Sequence, residues 1–301
     1  MPDTALHSTE GQFRGLLQAA CASQTVRMRL SSFPELSRSR EAQEHIDRNY
    51  WPLAQLLAQP PDAVIVTGTE PRAPRLNDEP YWQRFEEFLA WAQQHTVASI
   101  WSCLAAHGAV LSLDGIERQR LAHKRSGVYQ HSILPGHPLL QGVCAPMHMP
   151  HSRWNELSAP ALQQAGYTLL SWSPATGADA FVRQERSLML FFQGHPEYED
   201  TTLLKEYRRD VGRYLNGQQA HYPSYPDGYL SAQAMEALAA FREKALAERR
   251  AGLMESFPFA SAAASLTNTW HTSAVALYRN WLSYINTARS PMRTPETVSL
   301  G

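Results

Sequence analysis

Hydrophobic and polar positions along the chain alternate between two periods. Short apolar or alternating runs, "DAVIVTGTE" (62–70), "VASIW" (97–101), "YTLLSWS" (167–173), "DAFVRQER" (179–186) and "SLMLFFQG" (187–194), have the length and composition of strands. "TVRMRLSSF" (25–33) is β-rich as well. Between them, "YWQRFEEFLAWAQQH" (81–95) sets Phe85, Phe88, Leu89 and Ala92 at helical spacing, and "LAAHGAVLSL" (104–113) is an apolar helix. "DTTLLKEYRRDVGRYLN" (200–216) has the register of an amphipathic helix. Strands alternating with helices predict an α/β fold, a three-layer and mostly parallel sheet flanked by helices.

After Asn216 the pattern changes. "GQQAHYPSYPDGY" (217–229) is a Pro- and Tyr-rich loop, followed by helices over 231–252 and near 268–286. The expected organisation is an α/β catalytic core over 1–216, a loop and C-terminal helices over 217–286 packed on the same domain, and a disordered tail over 287–301.

Composition narrows the function. Hydrophobic residues make up 44% and charged residues 18%, and the formal net charge is −1. That is a globular mix with no basic excess for nucleic acid or a membrane surface, which points to small-molecule substrates. Three widely spaced cysteines, Cys21, Cys103 and Cys144, form neither a disulfide framework nor a metal knuckle. With no apolar run of about 18 residues and no signal-type N-terminus, the expected location is the cytoplasm.

Cys103 falls between an expected strand and an expected helix, the address of a nucleophile elbow, although its flanks are Ser102 and Leu104 in place of glycines. A helix N-terminus there favours the thiolate. On position alone, a buried apolar role for this cysteine stands equally open. His195 also follows a strand, and a parallel sheet brings strand ends together. Glu197, two residues on, would then fix the imidazole tautomer. Lys124 and Arg209 read as solvated charges, and His151, Ser152 and Arg153 as a polar cluster in a proline-bounded loop. No phosphate-loop or dinucleotide fingerprint is present, so no bound cofactor is expected.

The motifs "MP" at the N-terminus, "VTGTEPRAPRLNDEPYW", "KRSGVYQH", "PHSR", "GHPEYEDTTLLKEYRRD" and "NWLSYI" cover nearly the whole chain. Together they resemble the homoserine O-acyltransferases, or homoserine trans-succinylases, of methionine biosynthesis. The resemblance implies a class I glutamine amidotransferase-like fold and a commonly homodimeric enzyme. It implies Cys103 as the nucleophile that forms a thioester from acyl-CoA, His195 as general base and Glu197 as its orienting partner. Lys124, Ser152 and Arg209 match positions that contact the amino-acid substrate. The sequence departs from the family pattern near the N-terminus, where Asp3 and Thr4 stand close to the place of a usual lysine. It departs again where the family carries Gly or Glu according to succinyl or acetyl transfer; here that residue is Arg72. A guanidinium suits the free carboxylate of a succinyl group, so succinyl-CoA is the favoured co-substrate. Acetyl transfer, serine as acceptor, a glutamine amidotransferase-like hydrolase and a non-catalytic relative remain alternatives at this level.

Overall fold

Leu188–Phe192 is apolar at every position, and all five residues are buried. A strand without alternation needs cover on both faces, which places it inside a sheet between two helical layers. The computed structural model, which describes residues 3–21 and 25–289, has it there. The described strands are β1 (Ala63–Thr67), β2 (Ala98–Ser102), β3 (Gln119–Ile133), β4 (Met147–Glu156), β5 (Thr168–Leu169), β6 (Ser171–Ser173), β7 (Gly177–Ala178), β8 (Ala180–Gln184) and β9 (Leu188–Phe192). The helices are α1 (Leu6–Ala20), α2 (Arg40–Asn49), α3 (Leu53–Ala58), α4 (Trp82–His95), α5 (Leu104–Asp114), α6 (Ala159–Gln164), α7 (Thr202–Leu215), α8 (Ala232–Ala247), α9 (Phe259–Ala263) and α10 (His271–Arg289).

The main sheet runs β1-β2-β9-β8-β5. β1, β2 and β9 are parallel, while β8 and β5 extend the sheet by antiparallel pairing. The register pairs Thr67 with Ser102 and Ser102 with Phe192, so the carboxyl ends of the three parallel strands are level. Alternate side chains feed two cores. One holds Ile100, Leu190 and Phe192 with Phe13 and Leu17 of α1 and Leu277 and Trp281 of α10. The other holds Trp101, Met189 and Phe191 with Phe85 and Phe88 of α4 and Ala106 of α5. A third cluster joins α7 to α8 and α9 through Leu204, Val211, Leu238, Phe241 and Ala262.

Several expectations change. Residues 151–153 are not a loop: they lie in β4, at the edge of a second, antiparallel sheet ordered β4-β3-β6-β7. An edge strand tolerates a proline such as Pro150, because the missing N–H is not needed on both sides. The "YTLLSWS" run splits into β5 and β6, one in each sheet. Residues 25–33 do not form a strand; their one bridge joins Ser31 to Trp51, and a cavity separates them from β1. The helix over 231–252 ends at Ala247, with a 3-10 turn over Ala251–Ser256. The last helix continues to Arg289, three residues into the expected tail, and 290–301 lie outside the described residues. Among the described residues no helix is long and apolar enough to cross a membrane.

Buried imidazoles make this core sensitive to acid. His107 on α5 is 3% exposed and shares its Nε2 with Gln193 Oε1 at 3.1 Å. Burial first, then the Arg153 and Arg118 charges, push its pKa down to about 3. The unfolded chain therefore takes up a proton at His107 near pH 6.5 that the folded chain refuses, and stability falls as pH drops from there toward 3. We predict that His107→Gln flattens the pH dependence of urea unfolding between pH 4 and 6 by about 1.4 kcal/mol per pH unit. An unchanged slope would show that His107 is not the group responsible.

Candidate active site

Cys103 follows β2 directly and caps α5 with φ 53° and ψ −114°. Among the described residues it is the one non-glycine with positive φ. Such a conformation costs about 1–3 kcal/mol and persists only when its surroundings enforce it. Here the Cys103 N–H donates to Phe192 O at 2.8 Å, carrying the β2–β9 ladder one residue past the strand before the chain turns into the helix. The elbow lacks flanking glycines because the room comes from the neighbouring strand. A Cβ on Gly68, just beyond β1, would lie 2.4 Å from Leu104 Cβ. Gly68 is glycine so that the backbone after β1 can touch the start of α5.

His195 emerges from the carboxyl end of β9. Its N–H donates to Pro150 O at 2.9 Å, and its Nδ1–H donates to Glu197 Oε1 at 2.8 Å. Glu197 is 6% exposed. The ring stacks on Tyr198 with centroids 4.2 Å apart. Burial opposes the imidazolium, yet the Cys103 and Glu197 charges and hydrogen bonds outweigh it and hold the His195 pKa well above its ordinary value. At neutral pH, His195 therefore keeps its proton beside the sulfur. Gly194 is a second enforced glycine: its N–H donates to Asp179 Oδ1 at 2.7 Å, and a Cβ would sit 2.5 Å from Met149 Cγ and 2.9 Å from Pro150 O.

Lys124, Ser152 and Arg209 come from β3, β4 and α7 and meet at two carboxylates of α7. Lys124 Nζ donates to Asp210 Oδ2 at 2.7 Å and lies 3.8 Å from Glu206 Oε2. Arg209 Nε donates to Asp210 Oδ1 at 3.0 Å. The Ser152 hydroxyl donates to Glu206 Oε2, and the Tyr198 hydroxyl donates to Glu206 Oε1 at 2.8 Å. The chain of contacts runs from His195 through Tyr198 to Glu206, so the cluster adjoins the Cys-His pair. Arg72 is placed differently. It is exposed, its Nη2 donates to Ser37 O at 3.4 Å, and Glu79 Oε1 accepts the N–H of Arg72 and Ala73.

Sequence reasoning passed over Glu206, Asp210, Tyr198 and Arg118. The i, i+4 spacing of Glu206 and Asp210 on an amphipathic helix was the available signal for the first two. Arg118 had none, because its neighbourhood is made by the fold. Among the described residues its half-buried guanidinium has no hydrogen-bond or ion-pair partner. Desolvation lowers its pKa, while the charges of Tyr81, Cys103 and Glu79 oppose that shift.

Among the described residues two groups have metal-ligand chemistry: His7, Glu10 and His45 at the surface, and His131, His151 and Asp179 in the interior. In the interior group, His131 uses both nitrogens, toward Tyr129 O at 3.2 Å and Thr176 Oγ1 at 2.7 Å. Arg153 donates to His151 Nδ1 at 3.2 Å. His151 Nε2 is buried without a hydrogen-bond partner, 3.7 Å from Asp179 Oδ1, but the other donors are taken and the adjacent Arg153 guanidinium opposes a cation, so the group fits a hydrogen-bonded support for Gly194 better than a metal site.

The family model described as homoserine O-succinyltransferase matches residues 1–292. The chain is 44% identical to the homoserine O-succinyltransferase of Rhodopseudomonas palustris, over 94% of this chain and 85% of that protein. It is 43% identical to that of Bradyrhizobium japonicum, over 95% and 87%. The chain belongs to the homoserine O-succinyltransferase family. A solved glutamine amidotransferase from Methylobacillus flagellatus is more distant, at 16% identity and a TM-score of 0.47 over 81% of this chain and 86% of that one. The "KRSGVYQH", "PHSR" and "GHPEYEDTTLLKEYRRD" stretches fall in β3, in β4 and on the β9–α7 connection with its helix.

The retained His195 proton generates a prediction about the thiol. His195→Ala should slow alkylation of Cys103 by iodoacetamide at neutral pH at least about tenfold, read by mass spectrometry of the Cys103 peptide; equal rates in the two proteins would mean that His195 does not act on the sulfur.

Proposed function

We propose that this chain transfers the succinyl group of succinyl-CoA to the hydroxyl of L-homoserine through a thioester on Cys103, as a step of methionine biosynthesis. The observation that carries the reading is the juxtaposition of a positive-φ cysteine, an imidazole held by a buried carboxylate, and a mixed-charge cluster next to them.

In the first half-reaction the Cys103 sulfur attacks the thioester carbonyl carbon. The CoA sulfur leaves with the proton that His195 carries. In the second half the homoserine hydroxyl gives its proton to His195 and attacks the succinyl-enzyme, and Cys103 is released as thiolate. Thioester exchange is nearly isoenergetic, so catalysis consists mainly of positioning and oxyanion stabilisation. The free N–H of Leu104 at the start of α5 is one oxyanion donor, and Gly68, packed against it, supplies the second. Glu197 fixes the tautomer that presents Nε2 to the sulfur.

The cluster beyond Tyr198 suits a zwitterionic acceptor. Lys124 and Arg209 take its carboxylate, and Glu206, with Ser152, takes its ammonium group. For the donor, Arg118 is placed to receive the succinyl carboxylate, since an unpaired half-buried guanidinium beside a nucleophile has most to gain from one. Arg72 acts from the rim, and its reach is set by the turn that Glu79 pins. Succinyl-CoA enters as co-substrate, and no prosthetic group is part of the reading. By the family resemblance, the working unit is a cytoplasmic homodimer; sedimentation at micromolar concentration tests the assembly.

Two experiments test the chemistry. Succinyl-CoA alone should add one succinyl group to the Cys103 peptide, and Cys103→Ala should abolish both label and turnover; a label on Cys21 or Cys144 instead would end the mechanism. For the donor, a charge-assisted pair is worth roughly 1.5–3 kcal/mol, so Arg118→Gln should cost succinyl-CoA about 10- to 100-fold in kcat/KM and leave acetyl-CoA nearly unchanged. Arg72→Gly should show the same selectivity in weaker form. Equal losses for both donors would remove either arginine from the acyl site.

A further inference from the structure

Away from Cys103, the first two helices bring three metal-ligating side chains to one point. His7 and Glu10 stand three residues apart on α1 and share one face of it, and His45 of α2 meets them there. One ligand atom from each lies within 4.8 Å of the other two. His45 Nε2 and Glu10 Oε1 are 2.8 Å apart, on side chains only 16% and 13% exposed. The rings of His7 and His45 meet edge-on, with centroids 4.1 Å apart. His7 itself is exposed and makes no hydrogen bond among the described residues, so both its ring nitrogens are open.

The surroundings prepare these groups as ligands. The Tyr50 hydroxyl donates to Glu10 Oε1 at 2.7 Å, and the Asn49 side-chain amide lies 3.1 Å from His45 Nδ1. Such outer hydrogen bonds orient ligating carboxylates and imidazoles. Arg38, the cation whose charge reaches Tyr50, is itself paired with Asp3 at 3.1 Å. α2 also lacks another anchor. Of its ten residues only Ala42 is buried, and the contact of its cap Ser39 with Asp3 is polar. Apolar burial therefore holds this helix weakly, and a metal tie to α1 supplies what its core does not.

We propose that His7, Glu10 and His45 bind one divalent transition-metal ion of the zinc class, with water at the position open to solvent. Two imidazoles and a carboxylate suit zinc, whose ligand atoms lie ~2.0–2.2 Å from the ion and so roughly 3.3 Å from one another. Reaching that arrangement takes small movements. Glu10 and His45 part by about half an ångström as the proton shared between them is released to solvent, and the exposed His7 ring swings inward. The ion clips α1 to α2 and takes no part in acyl transfer, so this inference does not depend on that chemistry.

The test uses the full chain carrying Cys103→Ala, which removes the sulfur beside His195, titrated with Zn2+ by calorimetry and with Co2+ by absorption. One equivalent should bind, and the Co2+ form should show ligand-field bands without thiolate charge transfer. With metal, the α2 amides should exchange with solvent at least about tenfold more slowly. His7→Ala and His45→Ala should each weaken binding at least about 100-fold and abolish that slowing, and Tyr50→Phe should weaken it about tenfold. His7 is exposed, so its variant decides the matter even if His45→Ala disturbs the helix packing. No uptake at millimolar metal overturns the proposal, as does unchanged affinity in His7→Ala. A thiolate band assigns the metal to Cys21 or Cys144 and overturns it too.

Discussion

One backbone hydrogen bond organises the site. The Cys103 N–H, donating to Phe192 O, is the last rung of the β2–β9 ladder, and it ties Cys103 to the strand that three residues later presents His195. Without it Cys103 has no reason to hold a positive φ, and the sulfur is not aimed along the sheet edge. The cost of that conformation is local, whereas what enforces it is the burial of both strands between two helical layers. The stability of the sheet and the geometry of the sulfur are therefore one quantity.

The electrostatics follow from the same edge. His195 keeps its proton because one negative group lies on each side of it, Cys103 and Glu197, in a pocket from which water is largely displaced. Beyond Tyr198 the charges are mixed: Lys124 and Arg209 are set against Glu206 and Asp210. The two signs pair with one another inside the cluster, so any ligand entering there has to exchange one ion pair for another.

The main-sheet strands were legible from residues 62–70, 97–101 and 187–194 because interior parallel strands are short, apolar and bounded by turns. So was the relation of Cys103 to His195, since level strand ends need no sequence proximity. The β3–β4 ribbon was not. "QRLAHKRSGVYQHSI" is half-exposed and charged, and its strand character comes from pairing with β4 more than from its own pattern. Lys124 and Ser152 consequently read as a loose charge and a loop residue, although both lie on that ribbon. Residues 25–33 erred in the other direction: their propensity is for strand, but a strand needs a partner at about 4.8 Å, and here a cavity intervenes.

The contact between Gly68 and Leu104 couples two segments that are far apart in the sequence. The two positions share one volume, so neither varies freely. A larger residue at 68 presses on the start of α5 and so on the turn that Cys103 caps, whereas trimming Leu104 relieves the crowding and leaves the glycine's approach intact. Change at this turn is therefore easier to accommodate at the residue after the cysteine than at the glycine that faces it.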